Sequence, residues 1–291
     1  MKSYLKDFFE CCAYQKEDAD FLLNVYEKIM QNQETADIWN LAIGIYEETI
    51  CCDFRKIISL ADQVAEMVSI HAYTAELLIF ICLTKKLKKE YEKRGLDMQI
   101  YWDTVADLKY KTEECKLVKG MVGSFVAPWF FKFFDMTRFA LGRLQFQIVE
   151  FSREYEKNGV ILTSKSKVID THIPRSLQPL TPQSCDEAFA LAKKFFAEEI
   201  GENCAFVCHS WLLYPEHETM LSHQSNVYQF MSRFDILESG INRQKSDLWR
   251  LFDTDEKNPE NLPADTSLRR AYVEHLKNGG NVGWGFGVML F

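Results

Sequence analysis

Two histidines, each at or near the end of an apolar segment, are candidates for a general base. His172 closes one apolar segment, and His209 lies near the end of another. An imidazole titrates near neutral pH, so either ring could take a proton from a reacting group. Cys208 and Ser210 flank His209 with a thiol and a hydroxyl, which are nucleophilic groups. Strand alternation puts His209 and Trp211 on one face and the thiol and hydroxyl on the other, so either nucleophile would need His172.

The elements that must position these side chains are two strands joined by a helix. Apolar residues predict strands at Val168–Ile173 and Ala205–Leu213, and Thr181-Pro182 begins the intervening helix. A strand, a crossover helix and a second strand imply parallel pairing. Ligand sites in such sheets gather at the carboxyl ends of the strands, where both histidines would lie. We therefore expect the two imidazoles to be neighbours.

Other patterns extend the predicted sheet. Alternating apolar residues over 144–148 predict a half-buried strand, and Asn158-Gly159 predicts a hairpin turn. Further elements are predicted as a helix at Asn226–Phe234, a strand near Leu248–Phe252, a helix at Ser267–Asn278 and a strand at Val282–Leu290. Every second residue from Gly283 to Gly287 is glycine, so a packed helix or a ligand can approach this face of the last strand closely.

The first part of the chain differs in composition from the rest. All seven prolines lie at or after Pro128, and eleven of the thirteen glycines lie at or after Gly120. Helical spacing of apolar residues in the proline-free part predicts about five helices. Six aromatic residues within Trp129–Phe139 mark the junction. We expect an α+β protein with an all-helical domain at residues 1–135 and a mixed α/β sheet domain of six or seven strands at 136–291.

Composition and charge argue against several classes of protein. A net charge of −8 and a pI near 5.4 disfavour a nucleic-acid binder, which needs a basic surface. Nine cysteines without a regular framework indicate a reducing, cytoplasmic location. The longest apolar run, Leu77–Leu83, is too short to span a membrane, and the amino terminus lacks the apolar core of a signal peptide. We expect no metal site, because His217-Glu218 has no second histidine four residues after the first, and Cys204 and Cys208 have no partner pair.

Several short motifs follow one another in a recognisable order. They are Gly142–Phe146, His172–Pro174, Pro179–Pro182 leading into Cys185-Asp186, Val207–Leu213, Ser225-Asn226 with Arg233-Phe234, and Leu262–Leu268. This series resembles a bacterial family of acyltransferase-domain proteins, and the resemblance covers nearly the whole chain. Members pair a helical amino-terminal N-acyltransferase domain with a GNAT-like carboxy-terminal domain. The resemblance implies transfer of an acyl group from an acyl thioester, with acyl-CoA as co-substrate, to a small-molecule amine or hydroxyl.

That function gives the candidate residues distinct roles. His209 is the first choice for the base that takes the acceptor's proton, and His172 is the second. Ser210 or a strand amide would help to polarise the thioester carbonyl. Trp211 would form a wall of the pocket.

Binding roles and alternatives concern residues outside this group. Asn226 and Arg233 would orient the substrate, and Arg143 could anchor an anionic part of it by bidentate contact. The Q/R-x-x-G-x-G/A turn that holds the coenzyme A pyrophosphate in many GNAT enzymes does not follow any predicted strand. A non-catalytic module that senses an acylated ligand or a partner protein is therefore the alternative. A third hypothesis is a ping-pong transferase that uses Cys208.

Overall fold

A computed structural model describes residues 1–176, 178–201 and 204–291 of the chain. The chain divides into two compact units, Met1–Phe139 and Ala140–Phe291. Within the described ranges, no helix combines the length and the apolar character needed to cross a membrane.

The amino-terminal unit is helical. Its helices are α1 Lys2–Cys11, α2 Lys16–Met30, α3 Gln33–Glu48, α4 Phe54–Met67, α5 Ala72–Lys93 and α6 Met98–Lys119, followed by a 3₁₀ turn at Ala127–Phe130 and the one-turn helix α7 Phe131–Phe134. The prediction of about five helices is therefore one short of the six longer helices. Side chains of Asn32, Asp53, His71 and Asp97 accept backbone N–H groups at four amino ends, and Gly120 ends α6 in the left-handed conformation.

Helix α5 forms the centre of this unit. Every residue of Leu77–Leu83 is buried, so the helix is enclosed on all sides. The ring of Phe80 lies 5.4 Å from that of Phe130 and 5.0 Å from that of Phe134. The hydroxyl of Tyr46 donates to the carbonyl of Phe134 at 2.8 Å. These contacts place aromatic residues of the predicted junction in the core of the helical unit.

The second unit is built on a mixed sheet. The strands are β1 Arg138–Leu141, β2 Leu144–Glu150, β3 Tyr155–Lys157, β4 Val160–Leu162, β5 Lys167–His172, β6 Ala205–Ser210, β7 Asp235–Asn242 and β8 Val282–Leu290. Six of them form one sheet in the order β1-β2-β5-β6-β8-β7, and β3 and β4 form a separate hairpin. The predicted α+β class is confirmed. Asn158 and Gly159 both adopt positive φ in the hairpin turn, as the sequence indicated.

The helices of this unit are short apart from two. They are α8 Pro182–Phe195, α9 Ala197–Ile200, α10 His217–Met220, α11 Asn226–Met231, α12 Trp249–Phe252 and α13 Ser267–Lys277, with 3₁₀ turns at Trp211–Leu213 and Pro259–Asn261. Helix α8 connects β5 to β6, which pair in parallel as predicted. In the large sheet, β2 pairs antiparallel with β5, β6 with β8 and β7 with β8.

Different elements pack on the two faces of the sheet. On one face, the ring of Phe189 from α8 packs 4.8 Å from Phe206 and 5.8 Å from Phe146. On the other face, the hairpin and its root contribute Tyr155 and Phe151 to an apolar cluster. The remaining members of that cluster are Leu162, Val168, Ala205, Val207, Phe286 and Val288. Side chains at the amino halves of β5 and β6 are therefore covered, and polar residues follow toward the carboxyl ends.

Two predicted strands are wrong in part or in full. β6 ends at Ser210, because its hydroxyl accepts the Leu212 N–H at 3.2 Å and caps a 3₁₀ turn. The segment predicted as a strand near Leu248–Phe252 is helix α12, whose end at Asp253 is left-handed. β7 was not predicted from the sequence, because a bulge at Ile236/Glu238 interrupts the alternation that marks a strand.

The last strand has the predicted bounds, and its glycines explain how the chain packs beside it. A Cβ on Gly283 would lie 2.1 Å from the ring of Tyr214, and a Cβ on Gly285 would lie 2.1 Å from the carbonyl oxygen of Leu213. No side chain fits at these distances. The close approach therefore comes from the chain that follows β6, and this turn is pressed directly on β8.

Candidate active site

The parallel strands β5 and β6 separate toward their carboxyl ends. Their register comprises two Cα pairs, Ile169 with Phe206 and Asp170 with Val207, although each strand has six residues. His172 and His209 lie beyond this register, at the carboxyl ends of the two strands. Alternation puts both side chains on the face that carries Asp170 and Val207. The structure therefore brings the two predicted histidines to one end and one face of the sheet.

Asp170 links His172 to the neighbouring strand. Gln147 of β2 lies opposite Asp170 in the antiparallel register, and its Nε2 donates to Asp170 Oδ2 at 2.9 Å. Nε2 of His172 lies 3.1 Å from the same oxygen. The side chains of His172 and Asp170 are each 18% exposed, so this pair is partly withdrawn from solvent.

His209 has an aromatic environment instead of a carboxylate partner. Its ring meets that of Trp284 edge-on with centroids 4.6 Å apart, and Phe286 lies 6.5 Å away. Both aromatic residues come from β8, which pairs with β6 and places Phe286 opposite His209. The imidazole is exposed. These contacts fix the plane of the ring and leave its polar edge to solvent or substrate.

A cleft of about 170 Å³ lies beside these residues on the hairpin face of the sheet. It is lined by Val149, Glu150, Phe151, Ser152, Arg153, Val168, Asp170, Val207, His209 and Phe286. The guanidinium of Arg153 stacks 4.1 Å from the centre of the Phe286 ring, and its Nε donates to Glu238 at 2.9 Å. Pockets that hold a whole small molecule usually enclose at least about 300 Å³. This cleft can therefore take a reacting group or one end of a substrate.

Cys208 lies on the opposite face of β6. Its side chain is fully buried, and burial raises the pKa of the thiol well above its usual value, with the charge of Asp170 adding to the effect. A thiolate nucleophile needs a lowered pKa and access to substrate. His172 is on the other face of the sheet, so the geometry does not assemble a Cys208–His172 pair.

Ser210 and Trp211 mark the end of β6. The Ser210 hydroxyl is engaged as the cap described above, and Trp211 is the first residue of the turn rather than the next residue of a strand. The prediction that Trp211 shares a strand face with His209 is therefore wrong. The Trp211 ring lies 6.1 Å from His217 and 6.4 Å from Tyr272. The 3₁₀ turn after β6 places the Trp211 ring beside His217 and Tyr272.

The two arginines that were predicted to bind substrate brace the chain around the amino end of α8. Arg143 donates from Nε to the carbonyl of Gln178 at 3.0 Å and from Nη1 to that of Pro174 at 3.1 Å. Arg233 forms an ion pair with Asp186 and donates to the carbonyl of Pro182 at 3.0 Å. The Arg143 contacts connect the turn between β1 and β2 to the loop before α8, and the Arg233 contacts connect α8 to the end of α11.

The first turn of α8 has its own cap, and Asn226 begins another helix. Pro182 has no N–H, and Thr181 Oγ1 accepts the N–H of Ser184 at 3.1 Å. Groups that would bind a phosphate at a helix amino end are thus partly used within the helix. Asn226 is the first residue of α11 and is exposed, while Ser225 caps that helix by accepting the Tyr228 N–H.

A buried histidine–tyrosine pair beside the turn after β6 was not predicted from the sequence. His217 is fully buried; its Nδ1 lies 3.2 Å from the carbonyl oxygen of Leu212, and its Nε2 lies 2.5 Å from the hydroxyl of Tyr272. A carbonyl only accepts, so Nδ1 carries the hydrogen and Nε2 accepts from the tyrosine. Burial lowers the pKa of His217 to about 4. This imidazole stays neutral and holds the turn after β6.

Asp170, Gln147 and Arg153 were also missed as site residues. Asp170 stands two residues before His172, and period-two alternation alone places them on one face. That signal was available in the sequence. Gln147 and Arg153 required the β2–β5 register and the path of the hairpin. Among the described residues, no three His, Cys, Asp or Glu side chains are grouped so that they could hold a metal ion.

Comparison with protein families identifies both parts of the chain. Residues 139–289, more than half of the sequence, match the model of a GNAT-like C-terminal domain. The chain belongs to this family. Residues 3–136 match the N-acyltransferase N-terminal domain, so the predicted combination of domain types is confirmed. Among proteins with curated descriptions, none matches the sequence.

Solved structures share the fold over nearly the whole chain. An acyltransferase in complex with decanoyl-CoA and teicoplanin has a TM-score of 0.72 and 19% identity, covering 98% of this chain and 87% of that one. An acyltransferase in complex with CoA and 10C-teicoplanin has a TM-score of 0.67 and 18% identity, covering 98% and 99%. At these identities the likeness shows a common fold. The family and these neighbours agree with the predicted class, an acyltransferase.

Proposed function

We propose that this protein transfers an acyl group from acyl-CoA to the amine or hydroxyl of a small molecule, with His172 as the base. The observation that supports this choice of base is the 3.1 Å distance between Asp170 Oδ2 and His172 Nε2, at the separated ends of β5 and β6. The GNAT-like family of residues 139–289 supports the reaction class. Solved neighbours that hold acyl-CoA support the choice of donor.

The reaction requires one proton to be moved. The acceptor nitrogen or oxygen forms a bond to the thioester carbonyl carbon, and His172 takes the proton that the acceptor loses. The carbon–sulfur bond then breaks, and the thiolate leaves with a proton returned by the imidazolium. The products are the amide or ester and the free thiol. A base with a pKa near neutral suits both proton transfers.

In this proposal the thioester lies between the separated ends of β5 and β6. Backbone groups of β5 and β6 beyond Asp170 and Val207 lie outside the two-pair parallel register. They are suited to hold an extended thioester arm and to donate to the carbonyl oxygen as it gains charge. His209, with its ring fixed on Trp284, is assigned to orient the acceptor or to share the proton. The preference for His172 over His209 follows from the carboxylate.

The remaining candidate residues keep more peripheral roles in the proposal. Ser210 and Trp211 shape the turn that closes the end of β6. Arg143 and Arg233 position the loop and amino end of α8, where an anionic part of the donor would bind in competition with their present partners. Asn226 is exposed on α11 and is retained as a substrate contact.

We also propose that the acceptor is a small molecule, that the protein is located in the cytoplasm and that the domain boundary lies between residues 135 and 136. The location is supported by nine cysteines that are all free thiols.

A thioester-consumption assay tests the function. Purified protein is supplied with octanoyl-CoA or decanoyl-CoA and a panel of amines and alcohols, and release of free thiol is followed. We expect acceptor-dependent release, and His172→Gln is expected to lower kcat by about 10²- to 10⁴-fold, the usual range for loss of a general base. The His209→Gln variant is expected to lower kcat less, because the His209 ring packs on Trp284 rather than beside a carboxylate.

The partly occupied amino end of α8 favours a second candidate function, a module that binds an acylated ligand without turning it over. An increase in melting temperature with acyl-CoA, combined with no thiol release for any acceptor, would support that function. Saturation at 100 times the dissociation constant adds about 2.7 kcal/mol of stability. A His172→Gln variant as active as the wild type would exclude the proposed base.

A further inference from the structure

We infer that helix α13 fixes the distance between the carboxyl ends of β5 and β6, and that Asp253 is the positioning residue through which it holds the β5 side. This inference rests on the proposed acyl transfer for its effect on turnover, because the thioester is placed between these strand ends. The two attachments of α13 belong to the free protein and can be measured without substrate.

One attachment joins α13 to the loop after β5. Asp253, which ends α12, lies between two guanidinium groups. Arg175, three residues after the end of β5, donates to its carboxylate from Nε at 3.0 Å and from Nη2 at 2.8 Å. Arg269 of α13 donates to the same carboxylate from Nη2 at 2.6 Å and to the carbonyl of Leu251 from Nε at 2.9 Å. The Asp253 side chain is 17% exposed, so these charge-assisted bonds are partly shielded from solvent.

A second attachment joins α13 to the turn after β6. Tyr272 lies three residues after Arg269, so both side chains lie on one side of the helix. The Tyr272 hydroxyl donates to Nε2 of His217, and Nδ1 of the same ring donates to the carbonyl of Leu212 at 3.2 Å. The ring of Trp211, the first residue of this turn, lies 6.4 Å from that of Tyr272. One helix is therefore bonded to the segments that follow both strands.

The packing of α12 on α13 makes the two attachments act together. Leu251 and Phe252 of α12 are buried in one apolar cluster with Tyr272 and Leu276 of α13. A packed interior transmits displacement, so Asp253 cannot shift without shifting α13. The two attachments therefore belong to one rigid block of the carboxy-terminal unit.

Backbone pairing between the two strands does not extend to their ends. The parallel register ends at the pair of Asp170 with Val207, two residues before the end of β5. Arg143 holds the Pro174 carbonyl from the turn between β1 and β2, at 3.1 Å. The Asp253 carboxylate holds the same loop from the side of β6. The separation of the strand ends is thus set by side chains that act from outside the two strands.

The first test is Asp253→Asn in the thioester-consumption assay. Asp253 has a left-handed φ of 56°, which asparagine also tolerates, so the change keeps the backbone preference and removes the charge. Arg175 and Arg269 then face each other without a carboxylate between them and repel. We expect kcat to fall by about 10- to 100-fold, the effect of misplacing reacting groups by about 1 Å. KM for octanoyl-CoA is expected to change less than about threefold, because misalignment acts on the transition state.

Three further variants distinguish positioning from a general loss of stability. Asp265→Asn breaks an exposed ion pair to the same Arg269 and should leave kcat within about twofold of the wild type. In an Arg175→Gln background, Asp253→Asn should lower kcat by no more than about a further twofold, since both changes break the same contact. Arg175→Lys keeps the charge but loses the two parallel bonds, so its kcat should lie between those of the wild type and Arg175→Gln.

The second test measures the connection through α13 without turnover. Amide exchange in the free protein, followed by NMR, reports on the loop through the Ser176 N–H and on the turn through the Tyr214 N–H. Each of these amides is bonded to a backbone carbonyl of its own segment. Tyr272→Phe alters the attachment to the turn, and Asp253→Asn alters the attachment to the loop. We expect both amides to exchange faster in each variant, because α13 transmits the displacement.

The outcomes separate this inference from the proposed function. Coupled exchange of the two amides, in a protein whose wild type releases no thiol, overturns the acyl-transfer proposal and supports the role of α13. An active wild type with unchanged kcat in a folded Asp253→Asn variant overturns the inference and leaves the function standing. Exchange that rises only on the substituted side of α13 also overturns it. If Asp253→Asn does not fold, Arg175→Lys supplies both readouts.

Discussion

Three histidines of the carboxy-terminal unit have different environments. His172 has a carboxylate 3.1 Å away, His209 packs on Trp284, and His217 is buried between a carbonyl and Tyr272. These surroundings decide whether an imidazole can gain a proton. His217 is kept neutral, because burial lowers its pKa to about 4. Function follows from the partner of each ring rather than from the residue type.

Replacing Tyr272 by Phe tests the role of the buried pair. The change removes the hydroxyl that His217 Nε2 accepts from and leaves a buried acceptor without its partner. We expect a loss of about 1 to 3 kcal/mol in the free energy of unfolding, measured by urea titration. Tyr228→Phe removes an exposed hydroxyl bonded to Glu218 and is the control, with no comparable loss expected. A Tyr272→Phe variant as stable as the control would show that the hydrogen bond is not needed.

At the residue scale, much of the candidate site could be predicted from the sequence. Strand alternation located His209 and Cys208 on opposite faces, and the strand-end rule located His172 and His209 at one end of the sheet. The structure agrees with both. Asp170 was within reach of the same rule. Gln147 was not, because its contact depends on which residue of β2 lies opposite Asp170, and register is a property of two strands together.

At the scale of elements, β8 shows how glycine permits a close approach. Gly285→Ala would put a Cβ 2.1 Å from the Leu213 carbonyl, so the turn after β6 would have to move. We expect a loss of stability of at least about 1 to 3 kcal/mol, measured by thermal unfolding, with weaker acyl transfer because this turn follows Ser210. The opposite result is expected in α3. Gly44 has no atom within 4 Å of a built Cβ, so Gly44→Ala should stabilise the helix by about 0.5 to 1 kcal/mol.

Both glycine variants can contradict this explanation. A fully stable Gly285→Ala would mean that the turn is not pressed on β8. A destabilised Gly44→Ala would mean that α3 packs more closely at this position than the structure shows.

Elements with strong periodicity were predicted well, and irregular ones were not. The parallel β5–β6 pair, the Asn158-Gly159 hairpin and the full extent of β8 follow from local patterns. The segment at Leu248–Phe252 was mistaken for a strand, since a short apolar run fits a strand or one helical turn equally well. β7 was missed because its bulge breaks the alternation.

At the scale of the whole molecule, the two units are expected to respond to acid in opposite ways. Burial and the nearby Asp62 carboxyl raise the pKa of Glu76 to about 7 in the helical unit. A raised pKa adds stability that is present below about 4.5 and lost as the pH rises through 7. The lowered pKa of His217 acts in the other direction: its contribution is present above about 6.5 and lost as the pH falls toward 4.

Hydrogen exchange between pH 7 and pH 5, corrected for the intrinsic pH dependence of exchange, measures both effects. Protection should rise in α4 and α5, which carry Asp62 and Glu76, and fall in α10 and α13, which carry His217 and Tyr272. Glu76→Gln stays uncharged throughout and should abolish the change in the helical unit. Equal changes of protection in both units would contradict the assignment.

One wall of the cleft is held in place by charge. The hairpin root supplies Arg153, which pairs with Glu238 of β7, and Lys157 at the hairpin tip pairs with Asp235 at 2.7 Å. All four side chains are at least one-third exposed. Dissolved ions therefore weaken both ion pairs, since the screening length at 0.1 M salt is about 10 Å. We therefore expect raised ionic strength to loosen the contact between the hairpin and β7, and with it one wall of the cleft.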